Sequence, residues 1–146
     1  MSTLSPYLFF DGDCAPAMQF YERTLGGRMI MMMRHGDAPP DPQHPVQDPE
    51  RVMHAQLELE GQTLMASDWM AGQAFPGRSG MNLSLVYPSA ERARAIFDAL
   101  AVGGDVRMPF GPTFWAAGFG MLTDRYGTPW MVGGGEPAGG ANCDSA

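Results

Sequence analysis

The strongest constraint in this 146-residue sequence is that one short pattern occurs in it twice. Phe20 followed by Gly26-Gly27 returns as Phe97 followed by Gly103-Gly104, an offset of 77 residues that also carries Met31 onto Met108. Further on, Gly61, Leu64 and Met65 return as Gly127, Trp130 and Met131 at an offset of 66. The eleven-residue difference places extra length in the first copy, where the loop HGDAPPDPQHPVQDPE lies at 35–50. A repeated unit exposes an apolar face when it stands alone, and pairing the copies buries it. The concavity that remains is a ready-made pocket.

Local patterns give the order of elements in each copy. Tyr7 to Phe10 reads as a short buried strand that runs into the turn-rich Asp11-Gly12-Asp13. The Asp13 carboxylate is expected to cap a helix, and Pro16 is tolerated in its first turn, where backbone amides lack helical partners. Cys14, Met18, Tyr21 and Leu25 then recur at helical spacing until Gly26-Gly27 stops the helix. A strand over 28–34 leads to the proline-rich loop, which suits neither helix nor central strand. VMHAQLELE (52–60) alternates, with Val52, His54, Gln56 and Glu58 on one face and Met53, Ala55, Leu57 and Leu59 on the other. A Gly61-Gln62 turn closes a hairpin with TLMASD.

The second copy follows the same order. A strand over 83–87 precedes a helix capped by Ser89, with Ala90, Ala93, Ile96, Phe97 and Leu100 on its apolar side. Strands are expected at about 106–110, 117–124 and 128–133, with Asp124-Arg125-Tyr126-Gly127 as a hairpin turn. The expected fold is therefore α+β, two βαβββ modules forming cupped mixed sheets. Residues 1–70 form the first module, 71–80 a linker, 81–133 the second module and 134–146 a disordered tail.

Composition excludes several classes of function. Nine basic against sixteen acidic residues give a net charge of -7, and the arginines are scattered, so the clustered positive charge that phosphate backbones require is missing. The N-terminus lacks a basic flank followed by an apolar run, and no stretch approaches the roughly 20 apolar residues of a membrane span. Two cysteines, Cys14 and Cys143, are too few for a disulfide scaffold. The expectation is a cytoplasmic protein with no nucleic-acid or membrane partner. Thirteen methionines, several in Met29 to Met33, are flexible core filler or a wall that moulds to a ligand.

Six segments, taken in order, carry a family likeness: PYLFFDGDC (6–14), FYERTLGG (20–27), MMMRHGDAP (31–39), VMHAQL (52–57), LMASD (64–68) and FWAAGFGMLTDRYGTPWM (114–131). With the repeat, they make the chain resemble the PhnB-like branch of the vicinal oxygen chelate superfamily, which includes glyoxalase I, extradiol dioxygenases, fosfomycin-resistance enzymes and bleomycin-binding proteins. The resemblance implies the glyoxalase/bleomycin resistance fold, a homodimer of four modules, and a cavity in each cupped sheet. The branch also bears a demethylubiquinone methyltransferase description. A methyltransferase of the usual kind needs a glycine-rich loop between strand and helix, whereas the glycine cluster here, Gly133 to Gly135, precedes a tail.

Metalloenzymes of the superfamily hold a divalent ion with histidine and carboxylate groups near the start of each module's first strand and on its last. Carried over by position, the resemblance puts Ser5 or Tyr7, a residue among Met65 to Ser67, Asn82, and Met131 in those places. None is a histidine or carboxylate, so no metal and no cofactor are expected, and the partner is a small molecule.

His54 and Asp68 are the candidate catalytic residues, and a rearranged metal site using both is the alternative reading. A histidine in that strand can be a general base or ligand anchor, or simply be satisfied within the sheet or a dimer interface. Asp68 can orient a ligand or His54, or serve as a turn residue capping its own backbone. Candidate ligand-binding residues are Tyr7, Phe9, Arg34, Ser67, Asn82, Trp115 and Met131. Trp115, with Phe114 and Phe119, offers flat apolar surface for a planar ligand or for core packing. Arg34 suits an anionic ligand or a surface ion pair. His35 and His44 lack partners at metal-ligand spacing, which makes their loop a candidate lid.

Overall fold

The computed structural model describes residues 2–138. Cys143 and the part of the expected disordered tail from 139 to 146 lie outside the described residues. The chain divides into two compact units, Met1–Pro76 and Gly77–Ala146.

In the first unit, β1 (Tyr7–Phe10), α1 (Cys14–Leu25), β2 (Arg28–Arg34), β3 (Val52–Leu59) and β4 (Gln62–Asp68) follow one another, with a short 3-10 turn at His35–Asp37. The sheet order is β1-β4-β3-β2, with β1 and β4 parallel and the other pairs antiparallel. The second unit repeats this as β5 (Leu83–Tyr87), α2 (Ala90–Ala101), β6 (Asp105–Gly111), β7 (Gly118–Thr123) and β8 (Pro129–Gly134), ordered β5-β8-β7-β6. β8 thus runs past the expected limit of 133, and the Gly135 N–H bonds back to the Tyr87 carbonyl.

Each helix lies against one face of its own sheet. In the first unit Leu8, Phe10, Met18, Tyr21, Ala55, Leu57 and Ala66 form the sealed layer. In the second, Ala93, Ile96, Phe97 and Leu100 of α2 pack with Leu122, Trp130 and Val132. Burying a large apolar side chain contributes roughly 1.5–3 kcal/mol, so this layer fixes which sheet face the helix covers. The opposite face stays open, and that is where side chains remain accessible.

β3 departs from simple alternation. Val52 is fully buried and Met53 exposed, although alternation placed Val52 on the face of His54. The cause is a bulge: Met33 pairs with His54 but Arg34 with Val52, leaving Met53 as an extra residue that flips the phase. A second bulge recurs in both units. Met29 pairs with Leu57 and Met31 with Gln56, leaving Ile30 extra; Val106 pairs with Leu122 and Met108 with Met121, leaving Arg107 extra.

The repeat is equally visible in register. Tyr7 pairs with Met65, and Ser84, 77 residues after Tyr7, pairs with Met131, 66 after Met65. The hairpins differ in their turns. Leu59 pairs with Gln62 across Glu60-Gly61, both at positive φ, whereas Thr123 pairs with Pro129 across the five residues 124–128.

Candidate functional site

Strand partners share a face, so the open side of the first sheet can be read from its register. Tyr7 and Phe9 of β1 stand beside Met65 and Ser67 of β4, followed by Gln56 and His54 of β3, then Met31 and Met33 of β2. Tyr7 and Phe9 are 39% and 41% exposed, while the alternating Leu8 and Phe10 are 2% and 1%. Ser67 is buried beside Phe9.

The polar centre of this face is a hydrogen bond of 3.1 Å between the Tyr7 hydroxyl and His54 Nδ1, the two rings lying 5.7 Å apart. With Nδ1 accepting from the phenol, the remaining ring nitrogen carries the proton; with the other tautomer the roles reverse. Either way the pair can both accept and donate at one spot. Phe9 packs 5.2 Å from Tyr7 and, edge-on, 5.1 Å from Trp69, whose ring also meets Phe75 at 6.2 Å. Trp69 was absent from the sequence candidates, yet the period-2 pattern Met65, Ser67, Trp69 would have found it. Its backbone is held on both sides, its N–H by the Phe10 carbonyl and its carbonyl by Arg51.

Asp68 does not join His54. It is buried on the helix side of the sheet, where Oδ1 accepts the Gly12 and Cys14 N–H groups at 3.0 Å each and Oδ2 accepts the Val52 N–H at 2.8 Å. The expected cap from the Asp13 carboxylate is not made, and Asp68 does that work from another strand. Its role in this structure is to tie β1, α1 and β3 together, and the pairing of His54 with Asp68 in one rearranged site is therefore corrected: the two face opposite sides. Asp124 holds the second hairpin in a similar manner, accepting from the Tyr126 and Thr128 N–H groups and the Trp130 indole. The expected Ser89 cap is present, its Oγ accepting the Arg92 N–H.

In the second unit the open face carries Ser84 and Val86 of β5, Met131 and Gly133 of β8, and Phe119 and Met121 of β7. A pocket of ≈ 370 Å³ has Trp115, Phe119, Gly133, Gly134 and Gly135 among its lining residues. Trp115 is half exposed and makes edge contacts with Phe114 at 4.7 Å and Phe119 at 5.2 Å. Glu136 stands among the lining residues and had no sequence signal.

Two candidates are engaged elsewhere. Arg34 donates to the Glu50 carbonyl at 2.6 Å and so anchors the proline-rich loop, which Arg51 also ties to Asp48 and Asp11. The Asn82 side-chain oxygen accepts from Arg107, the bulge residue of β6, which also reaches the Leu122 and Trp130 carbonyls. Ser84, not Asn82, is the strand partner of Met131. In the loop, Asp41 is paired with His44 at 2.7 Å.

The first-strand and last-strand positions, paired by register, thus hold Tyr7 with Met65 and Ser84 with Met131. A phenol, a hydroxyl and two thioethers do not fit a hard divalent ion that must be shared between carboxylate and imidazole groups. Among the described residues no three His, Cys, Asp or Glu side chains are grouped. Neither strand-to-helix junction is glycine-rich, the first being Asp11-Gly12-Asp13 and the second Pro88-Ser89. Gly133 and Gly134 lie within β8. Among the described residues no helix is long and apolar enough to cross a membrane.

Comparisons with known proteins agree with this geometry. Residues 2–133 match the family described as 3-demethylubiquinone-9 3-methyltransferase. The chain is 37% identical over 138 residues to Protein YjdN of Escherichia coli K12, covering 88% of this chain and 92% of that protein. The crystal structure of protein PA1353 from Pseudomonas aeruginosa superimposes with a TM-score of 0.86 at 42% identity, covering 92% and 98% of the two chains. A PhnB protein from Bacillus cereus gives 0.73 at 27%, covering 89% and 97%. The fosfomycin resistance protein FosX from Listeria monocytogenes, at 14% identity and a TM-score of 0.62 over 92% of this chain and 93% of that one, shares the fold. Matched along nearly its whole described length, the chain belongs to the PhnB-like family described as 3-demethylubiquinone-9 3-methyltransferase.

Proposed function

We propose that this protein binds a small molecule on the open faces of its cupped sheets without the divalent metal used by the superfamily's metalloenzymes. The observation that carries this reading is the Tyr7–His54 pair, set in a face that also carries Phe9, Met31, Met33, Met65, Ser67 and Gln56. Such a face offers apolar area, adaptable thioether surface and one point able to exchange hydrogen bonds with a hydroxyl or carbonyl group. The donor set at the paired strand positions supports a metal-free site, because thioethers favour soft ions over the hard ones that activate oxygen ligands. The protein works in the cytoplasm as a homodimer, a state that light scattering tests directly.

The deciding experiment has two parts. Elemental analysis of protein purified without chelator is expected to find no stoichiometric nickel, zinc, manganese or iron, and those ions should leave the melting temperature unchanged. Small phenols and cyclic ketones should shift the NMR resonances of Tyr7, Phe9 and His54, and His54→Ala should weaken that binding about tenfold, about the net worth of one hydrogen bond. A bound stoichiometric metal, or shifts that His54→Ala leaves intact, would overturn the reading.

A further inference from the structure

We infer that the pocket of the second unit is a binding site for a planar aromatic cation, stacked on Trp115 and paired with Glu136. The inference rests on the small-molecule reading above and gives the second open face its ligand class.

Shape comes first. Gly133, Gly134 and Gly135 are among the lining residues and present backbone only, which leaves room for a flat ring. Glycine is required at 135, where a Cβ would stand 2.9 Å from the Ala117 Cβ at a backbone φ of +80°, and a Cβ at Gly133 would crowd the Phe119 ring at 3.2 Å. Trp115 presents half its surface, fixed in orientation by its edge contacts with Phe114 and Phe119. Val86, 81% exposed, adds aliphatic surface at the same place. A volume of ≈ 370 Å³ admits a bicyclic or tricyclic ring system.

Charge comes second. Of the residues lining the pocket, Glu136 alone is charged at neutral pH, and no arginine lines it. Arg92 is turned to the Tyr87 ring, 5.8 Å from its centroid, and stays outside the lining. The field over the indole face and the Glu136 carboxylate therefore act in the same direction, favouring a cation and opposing an anion. The chain's net charge of -7 reinforces that sign.

The test uses the full chain and three probes of similar size: N-methylquinolinium as the cation, 2-naphthalenemethanol as the neutral ring and 2-naphthoate as the anion. Dissociation constants at pH 7.5 should rank cation, neutral, anion, with the cation about tenfold tighter than the anion, the size of an exposed cation–π contact plus one screened charge. Glu136→Gln should reduce the cation's preference and leave the neutral ring unchanged. Trp115→Ala should weaken the neutral ring by about tenfold and the cation by more, while Trp115→Phe restores much of it. Neither residue is buried, so both variants should melt like the parent. Equal affinities for cation and anion, or binding indifferent to Trp115→Ala, overturn the inference, as does a dimer in light scattering that Trp115→Ala dissociates, because a second copy would then cover the pocket. If the phenol and ketone shifts at Tyr7 and His54 persist while these probes fail, this inference alone falls; if both fail, so does the small-molecule reading.

Discussion

Replacing Asp68 with alanine should cost more stability than any change to the exposed face. The carboxylate is buried and accepts three backbone N–H groups, from Gly12, Cys14 and Val52, at 2.8 to 3.0 Å. Alanine leaves all three without their acceptor, and each buried donor so stranded costs about 1–3 kcal/mol. Some of this is recovered where the start of α1 admits water, so a net loss of about 4 kcal/mol is expected. At roughly 3 °C per kcal/mol for a chain of this size, the melting temperature should fall by about 12 °C. Asparagine retains one oxygen and should lose about half as much, since its amide group meets an N–H with another N–H. Calorimetry gives the first number, and amide hydrogen exchange locates it. Exchange should accelerate at Gly12, Cys14 and Val52, with the Arg92 amide of the second unit unaffected. A fall of less than about 3 °C for Asp68→Ala would refute the assignment of Asp68 as the tie between β1, α1 and β3.

Other tests are quicker. Ser89→Ala removes the 3.2 Å bond from the Arg92 N–H and should destabilise α2 by about 1 kcal/mol in chemical denaturation. Gly104→Ala would set a Cβ 2.9 Å from the Asp124 Cα and closer still to the Thr123 carbonyl, so a loss of about 2 kcal/mol or more is expected, read as a lower denaturation midpoint. The side-chain bond from His44, then the Gln43 N–H, hold the Asp41 carboxyl below its ordinary value. Because the folded value is depressed, the contribution of this group is present above the ordinary carboxylate range and disappears as pH falls through the lowered value. Carboxyl NMR should show Asp41 titrating early on that scale and moving back up in His44→Ala; no movement would refute the contact.

Much of the architecture was already legible in the chain. Local patterns placed both α-helices and all eight strands, and the offsets of 77 and 66 related the two copies, because helix and strand periods, glycine stops and the Ser89 cap are local properties of neighbouring residues. Cys14, Met18, Tyr21 and Leu25 repeat every three or four positions, and all four are buried. Trp69 could have been read in the same manner. Val52 could not, since the bulge at Met53 arises from how β3 meets β2 and leaves no mark on either strand alone.

The sequence by itself determined the two-copy order and the helix faces. Tertiary structure alone decided what the polar residues do. His54 meets Tyr7 across 47 positions, while Asp68 takes amides 16, 54 and 56 positions away, and Arg34 and Asn82 are occupied by Glu50 and Arg107. The physical reason is that a carboxylate's best partners here are backbone N–H groups, which every residue but proline carries, so no residue type announces them. Only the fold chooses which amides arrive, and with them which carboxylate becomes structure and which ring stays on the open face.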